Sequence, residues 1–215
     1  MRIKAKDPRL VSLMGEFMRT YLPGVRNRDD DTIDSYRYSI NLFVAYLESE
    51  HKVTVLTMQS SDFSQKNIVG FMAWLKSERN NVATTINHRL SDLRGFCKYL
   101  YKKNALSLDE YEAIREVNDV DVDRVIDFTW LSTNDVCLVL KSTDSNREAI
   151  RDRFLLSLLY ESGARINEVL SLKLLDIKPT SNGEADVHFY GKGKKHRITP
   201  LSKEIWEQYE CYCQK

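Results

Sequence analysis

The fold of this chain is decided by residues 160–173, YESGARINEVLSLK, in which one glycine separates two helical patterns. The run before it, residues 154–160, is apolar without alternation, which predicts a buried helix ending near Gly163. Apolar residues then recur at spacings of three and four, which predicts a second helix beginning at about Arg165. Glu168 follows one turn later, where its carboxylate can hold a guanidinium that is able to grip two phosphate oxygens.

A lysine-rich turn, GKGKK at residues 191–195, is the second informative stretch. Alternating residues on both sides of it predict the two strands of a β-hairpin. The three lysines Lys192, Lys194 and Lys195 repel one another, and a bound anion would relieve that repulsion. A solvent-exposed turn that binds no ligand explains the same residues, so the pattern alone leaves both interpretations open.

Together, in this order and with Arg165 and Lys192 27 residues apart, the two stretches resemble the tyrosine recombinases, the phage integrase family. The resemblance implies that Arg165 clamps the scissile phosphate, that Glu168 supports it, and that Lys192 donates a proton to the departing sugar oxygen. Lys194 and Lys195 are then expected to contact DNA. It also implies strand exchange through a phosphotyrosyl link, with no metal and no cofactor.

The composition is that of an ordinary globular protein, with 42% hydrophobic residues in a chain of 215. No apolar run is long enough for a membrane span, and the charged N-terminus has no apolar stretch after it, so we expect no membrane and a cytoplasmic location. The four cysteines have no metal-ligand spacing, which indicates reduced, structural cysteines and no metal site. They are Cys97, Cys137, Cys211 and Cys213.

Charge is unevenly distributed, although the formal net charge is only +1. Residues 1–105 contain 17 basic and 11 acidic residues, whereas residues 106–127 contain 2 and 8. Because a local field, not the total charge, meets a phosphate backbone, the first segment is the better candidate for DNA binding. We therefore predict a DNA-binding domain over 1–105, an acidic linker over 106–127 and a further domain over 128–215.

Four helices are predicted in the first segment, over residues 10–22, 33–47, 65–78 and 83–102. The last of them has an acid-free polar stripe opposite its apolar face, formed by Thr84, His88, Ser91, Gly95, Lys98 and Lys102. Such a stripe more often marks a solvated surface, but it also suits a helix lying on a phosphate backbone. Residues 83–100 resemble the last large helix of the integrase core-binding domain, a SAM-like helical bundle, which favours DNA contact.

The resemblance stops near the end of the chain. The family's catalytic domain continues with a His-x-x-Arg motif and a tyrosine nucleophile, and no histidine in this sequence has an arginine three residues on. Tyr209 and Tyr212 lie in a predicted last helix, where they are interpreted as packing or surface residues. We interpret the chain as a shortened form of a longer protein or the product of an interrupted gene, and expect no strand cleavage from it.

The sequence thus predicts a mainly α fold: an N-terminal helical bundle followed by the N-terminal part of an α+β integrase catalytic domain with one β-hairpin. The expected partners are double-stranded DNA and other recombinase protomers. A non-catalytic helical DNA-binding regulator is the alternative, with Arg165 and Lys192 only touching phosphates. A helical protein-interaction module is a third interpretation, and it requires the stripe on the fourth helix to be ordinary solvated surface.

Overall fold

The computed structural model describes residues 5–122, 130–143, 148–191 and 195–214. The chain divides into two compact units, Met1–Val125 and Ile126–Lys215. Helices dominate both units, and the described strands form one small sheet in the second, so the mainly helical fold with a β-hairpin is confirmed. No helix within the described ranges is both long and apolar enough to cross a membrane.

The first unit consists of helices joined by short turns. They are α1 (Pro8–Glu16), a π-helical segment (Phe17–Val25), α2 (Asp30–His51), α3 (Gln65–Ser77), α4 (Ala83–Lys102) and α5 (Leu108–Arg115). The first helix was expected to end before Pro23, but π-type bonding carries it further: the N–H of Arg26 donates to the carbonyl of Tyr21 at 2.9 Å. The second begins earlier than predicted because the Asp29 carboxylate accepts the Thr32 N–H as an N-cap.

Aromatic side chains form the centre of the first unit. Phe17, Phe43, Phe63 and Phe96 are fully buried, and each has ring neighbours with centroids 5.0 Å to about 6 Å away. Rings at these distances, in tilted or edge-to-face arrangements, gain more than their buried area alone supplies. Since Phe96 lies on α4, this cluster anchors the helix whose opposite side carries the polar stripe.

Gly95, one member of the predicted stripe, does not border open solvent; the Tyr36 side chain occupies the space beside it. A Cβ atom built there would lie 2.6 Å from the hydroxyl oxygen of Tyr36 and 3.0 Å from a carbon of the same ring. The glycine therefore makes room for Tyr36 of α2, and burial raises the pKa of that phenol. The idea that Gly95 lets α4 approach a phosphate backbone is replaced by a packing role.

This contact gives a stability prediction. Gly95→Ala should lower the free energy of unfolding by about 1–3 kcal/mol, because the Tyr36 ring has to move out of a packed site. Urea denaturation followed by circular dichroism would measure the change. Adding Tyr36→Phe to the same chain removes the closest atom, so the double variant should recover part of the loss. Additive losses would show that the clash is not the cause.

The acidic segment 106–127 packs on the first unit over much of its length. Leu106, Ile114 and Val117 are buried in the core of that unit, with Ile114 on α5. The side chain of Asn87 on α4 exchanges two 2.8 Å hydrogen bonds with the backbone of Val120. Because these apolar side chains need cover, the first unit extends to Val125 rather than ending at residue 105.

The second unit contains α6 (Thr133–Ser142), α7 (Ala149–Ser162), α8 (Ile166–Leu170), β1 (Ile177–Pro179), β2 (Ala185–Gly191), β3 (Lys195–Leu201) and α9 (Lys203–Cys213). The sheet is antiparallel in the order β1-β2-β3, so the predicted hairpin has a third strand beside it. Helix α6 begins at a reciprocal capping box formed by Ser132 and Asp135. The predicted buried helix is α7, which ends at Ser162 with Gly163 as its C-cap at φ +57°. It is buried on one side only, at Phe154, Ser157 and Leu158, whereas Tyr160 is 62% exposed.

Helix α9 packs against α7 and contributes to the core of the second unit through Ile205 and Tyr209. The hydroxyl of Tyr209 donates to the carbonyl of Leu174 at 3.0 Å, and burial raises the pKa of this phenol to about 12. Tyr212 stacks on Phe154 with ring centroids 5.7 Å apart. The interpretation of both tyrosines as packing or surface residues is confirmed.

Candidate functional site

Arg165 lies at the sharp connection between α7 and α8. The left-handed backbone at Gly163 ends α7, and Arg165 then takes the extended conformation of an N-cap residue. Its backbone N–H donates to one carboxylate oxygen of Glu168 at 3.0 Å, and its Nη1 donates to the other at 3.2 Å. The Arg165 side chain is nevertheless 84% exposed, so the guanidinium is fixed at one edge and open to solvent elsewhere.

Glu168 is only 8% exposed and is held from a second direction by Arg197 on β3. Nη2 of Arg197 donates to Glu168 at 3.0 Å, while its Nη1 reaches the carbonyl of Ser162 at 3.3 Å. The Arg197 guanidinium also lies 4.6 Å over the ring of Phe189, a favourable cation–π arrangement. We call Arg165, Glu168 and Arg197 the arginine cluster; its formal charge is +1.

The start of α8 offers no anion site of its own. Helix α8 has five residues, so it is too short for a large dipole at its start, and the Glu168 carboxylate already accepts the backbone N–H of Arg165. Any anion at this site is therefore held by the Arg165 side chain and not by a free helix N-terminus. The predicted support of Arg165 by Glu168 is present as a direct contact.

Arg197 was missed as a site residue, although the sequence contained a signal for it. Alternation along β3 places Arg197 on the same side as Leu201, which is buried against the core. A charged residue on the buried side of a strand needs a partner, and the predicted Glu168 was the available carboxylate. In the second unit, the residues predicted to bind phosphate were confined to Arg165 and the lysine turn.

Lys192 and Lys194 lie outside the described residues. Lys195 opens β3, with Gly191 as its cross-strand partner, and its backbone is described but not its side chain. The convergence of Lys192 and Arg165 on one anion therefore stays a prediction. The described part of the hairpin does reach the site, because Arg197 of β3 touches Glu168.

The cluster predicts a loss of stability in acid. The backbone N–H of Arg165, and next the Arg197 guanidinium, hold the pKa of Glu168 below its ordinary value of 4.5. Since the folded-state pKa is depressed, this stabilisation is present above about pH 4.5 and is lost as the pH falls through the folded value. In urea denaturation from pH 7 to 3, Glu168→Gln should start less stable and show a smaller decline with pH. Parallel declines would contradict the assignment.

Five residues of the predicted polar stripe on α4 are exposed: Thr84, His88, Ser91, Lys98 and Lys102. They line one side of a 20-residue helix, as the periodicity predicted. Both interpretations, a solvated surface and a DNA contact, require these side chains to be exposed. The DNA-contacting role of these residues stays a prediction.

A polar network beneath the stripe joins α4 to α2. The buried carboxylate of Asp92 accepts the hydroxyls of Ser35 and Ser39 at 2.9 and 2.6 Å. Ser35 also lies 2.8 Å from Nε2 of His88, and Nη1 of Arg89 donates to Ser39 at 3.2 Å. The network fixes the orientation of His88, so this part of the stripe is pre-ordered before any ligand arrives.

Comparison with known proteins follows the same division of the chain. The model of the "Phage integrase, N-terminal SAM-like domain" matches residues 16–104, and that of the "Phage integrase family" matches residues 129–215. The tyrosine recombinase XerD of Oceanobacillus iheyensis is 28% identical over 193 residues, or 86% of this chain and 59% of that protein. XerC of Syntrophus aciditrophicus is 28% identical over 206 residues, or 94% of this chain and 64% of that protein.

Two solved structures share the fold. The XerH site-specific recombinase bound to difH substrate, in a pre-cleavage complex, gives a TM-score of 0.62 at 19% identity and covers all of this chain and 63% of that one. The Tn1549 transposon integrase in complex with circular intermediate DNA gives 0.57 at 14% identity, over 92% of this chain and 64% of that one.

Both units therefore match the same class of protein, the phage integrases, each through its own domain model. The chain belongs to the tyrosine recombinase family, as its sequence motifs indicated. It spans 59% and 64% of the length of the two Xer relatives described above.

Proposed function

We propose that this chain is the DNA-binding part of a tyrosine recombinase, in which α4 contacts the duplex and Arg165 binds the scissile phosphate. The intact protein would exchange DNA strands through a phosphotyrosyl intermediate. The observation that carries the proposal is the arginine cluster. In this cluster, the buried carboxylate of Glu168 and the guanidinium of Arg197 hold Arg165, whose side chain is 84% exposed.

The chemistry of the cluster suits a phosphate clamp. Phosphoryl transfer places negative charge on the non-bridging oxygens, and a guanidinium fork can donate to two of them at once. Glu168 occupies one edge of the Arg165 guanidinium through Nη1, and the exposed remainder can face an incoming phosphate. Arg197 keeps Glu168 ionised and in place, so that Arg165 need not be reordered when DNA binds.

Lys192 is proposed as the proton donor to the departing oxygen, with Lys194 and Lys195 as neighbouring backbone contacts. This role rests on the family motif around the turn. It is supported by the contact between Arg197 and Glu168, which brings the part of β3 near the turn to the arginine cluster. Double-stranded DNA and further recombinase protomers are the proposed partners, as the DNA complexes of the two structural relatives suggest.

DNA binding through α4 predicts a specific salt dependence. Each phosphate contact contributes about 0.9 to the slope of log affinity against log salt. Lys98→Ala with Lys102→Ala should therefore reduce the slope by about 1.8 and weaken binding at low salt on any duplex sequence. Fluorescence anisotropy with the full chain and a labelled duplex, at several salt concentrations, would measure both quantities.

A matched control is available in the same unit. Lys66 and Lys76 are exposed lysines on α3, away from the stripe, and their replacement by alanine removes the same charge. The α3 double variant should keep a slope close to that of the unaltered chain. Equal slopes for the two double variants would mean that net charge, and not the stripe, governs binding.

The non-catalytic regulator is the second candidate, and one observation favours it. Tyr209 packs in the core of the second unit with its hydroxyl bonded to Leu174, and it is therefore a poor nucleophile. Both candidates would bind DNA without forming a covalent product. In the regulator, Arg165 would contribute only to general DNA affinity.

A further inference from the structure

We propose that the outer face of the sheet binds one divalent transition-metal ion through His188 and His196. His188 lies on β2 and His196 on β3, in diagonal positions: His188 is paired with Ile198 and His196 with Tyr190. Val187 and Phe189 point into the core, so alternation places both histidines on the opposite, outer face. Nδ1 of His188 lies 3.1 Å from Nε2 of His196.

That distance is suitable for chelation. Imidazole nitrogens bind zinc at about 2.0–2.1 Å, and an ion at this distance from two nitrogens 3.1 Å apart would subtend an angle of about 100°. The value lies between the angles of octahedral and tetrahedral coordination. His196 is exposed and His188 is half-buried. The His196 ring stacks on His188 and on Tyr190, with centroids 5.2 and 4.9 Å apart, so turning both lone pairs toward one ion requires these stacked rings to rotate.

The donor set determines the class of ion. Imidazole nitrogen suits Zn²⁺, Ni²⁺ and Cu²⁺, whereas Mg²⁺ and Ca²⁺ require oxygen ligands. Over the described ranges the chain holds no group of three or more His, Cys, Asp or Glu side chains that could hold a metal. The proposed site therefore has two protein ligands, with water in the other positions, and its affinity should be moderate.

The two ligands come from different strands, so a bound ion would cross-link β2 to β3. The strands join at the lysine turn and carry Phe189 and Arg197 on the other face, where Arg197 holds Glu168. Metal binding should thus brace the hairpin that supports the arginine cluster. The site does not belong to the proposed strand-transfer chemistry and stands whether or not that function holds.

Titration calorimetry with Ni²⁺ tests the proposal. The protein should be free of any affinity tag and should carry Cys137→Ser, Cys211→Ser and Cys213→Ser, because exposed thiols would also bind metal. We expect one Ni²⁺ per chain and no heat with Mg²⁺. Either His188→Gln or His196→Gln should weaken binding by at least about tenfold, because the second ligand acts at a high effective concentration.

Histidine signals in the NMR spectrum provide a second readout, which locates the bound ion on the protein. Paramagnetic Ni²⁺ should first broaden the ring protons of His188 and His196. His51→Gln is the matched control, since His51 bonds to Tyr46 on the first unit and should not contribute. Three results would each overturn the proposal. They are Ni²⁺ affinity in both hairpin variants equal to that of the unaltered chain, no binding at millimolar Ni²⁺, and initial broadening at His51 or His88.

Discussion

Incubated with a nicked DNA substrate that traps cleaved ends, this 215-residue chain is expected to form no covalent protein–DNA complex. Strand cleavage requires a tyrosine in line with the leaving oxygen, and removal of the nucleophile abolishes the covalent path altogether. Loss of one charge-stabilising donor, by comparison, costs a factor of about 10² to 10³ in rate. The hydroxyl of Tyr209 is committed to the carbonyl of Leu174, and its pKa of about 12 disfavours the phenolate.

A denaturing gel with labelled DNA would measure the outcome, and a full-length member of the family on its own site would show that the substrate is competent. The variants Tyr209→Phe and Tyr212→Phe make the result decisive. A covalent band that disappears in one of them would identify that residue as the nucleophile. It would also contradict the packing interpretation of the last helix.

Phe96→Ala should cause the largest loss of stability among the single substitutions considered for this chain. The side chain is fully buried, with the rings of Phe17 and Phe63 at 5.0 and 5.2 Å. Removal of a buried phenylalanine costs about 3–5 kcal/mol through lost transfer energy and the remaining cavity. Since a whole domain is stable by only about 5–15 kcal/mol, the first unit would be close to unfolding at 37 °C.

Chemical denaturation should show this loss, and DNA binding should weaken at the same time, because α4 depends on Phe96 for its anchor. Ser91→Ala on the exposed side of α4 is the matched control and should change stability by no more than about 0.5 kcal/mol. A small effect of Phe96→Ala would mean that the aromatic cluster readily repacks. If the destabilised variant kept its DNA affinity, DNA binding through the stripe would not depend on the packing of Phe96.

The helices of the first unit could be predicted because their apolar residues repeat with a strong period and their turns carry glycine, proline or a cap. The bounds predicted for α4, residues 83–102, are those of the structure. Packing between distant residues could not be read in the same way. Gly95 was assigned to an open surface since nothing in its local sequence shows that Tyr36, 59 positions earlier, occupies the space beside it.

The candidate site was predictable to the extent that it is local. Arg165 and Glu168 are three residues apart, so helical geometry brings them together. The contact between Arg197 and Glu168 spans 29 positions. Alternation places Arg197 on the buried side of β3, but it does not show which residue of another element lies opposite it. The third strand, β1, has only three residues and gives too short a pattern to detect.

The bond pair between Asn87 and Val120 has a consequence for hydrogen exchange. The amide of Val120 donates to the side chain of Asn87 at 2.8 Å, although its segment has no regular secondary structure. That single amide should therefore exchange slowly with deuterium while neighbouring backbone amides in the acidic segment exchange fast. Its rate becomes a probe of how often this segment detaches from α4, and Asn87→Ala should remove the protection without unfolding the helix.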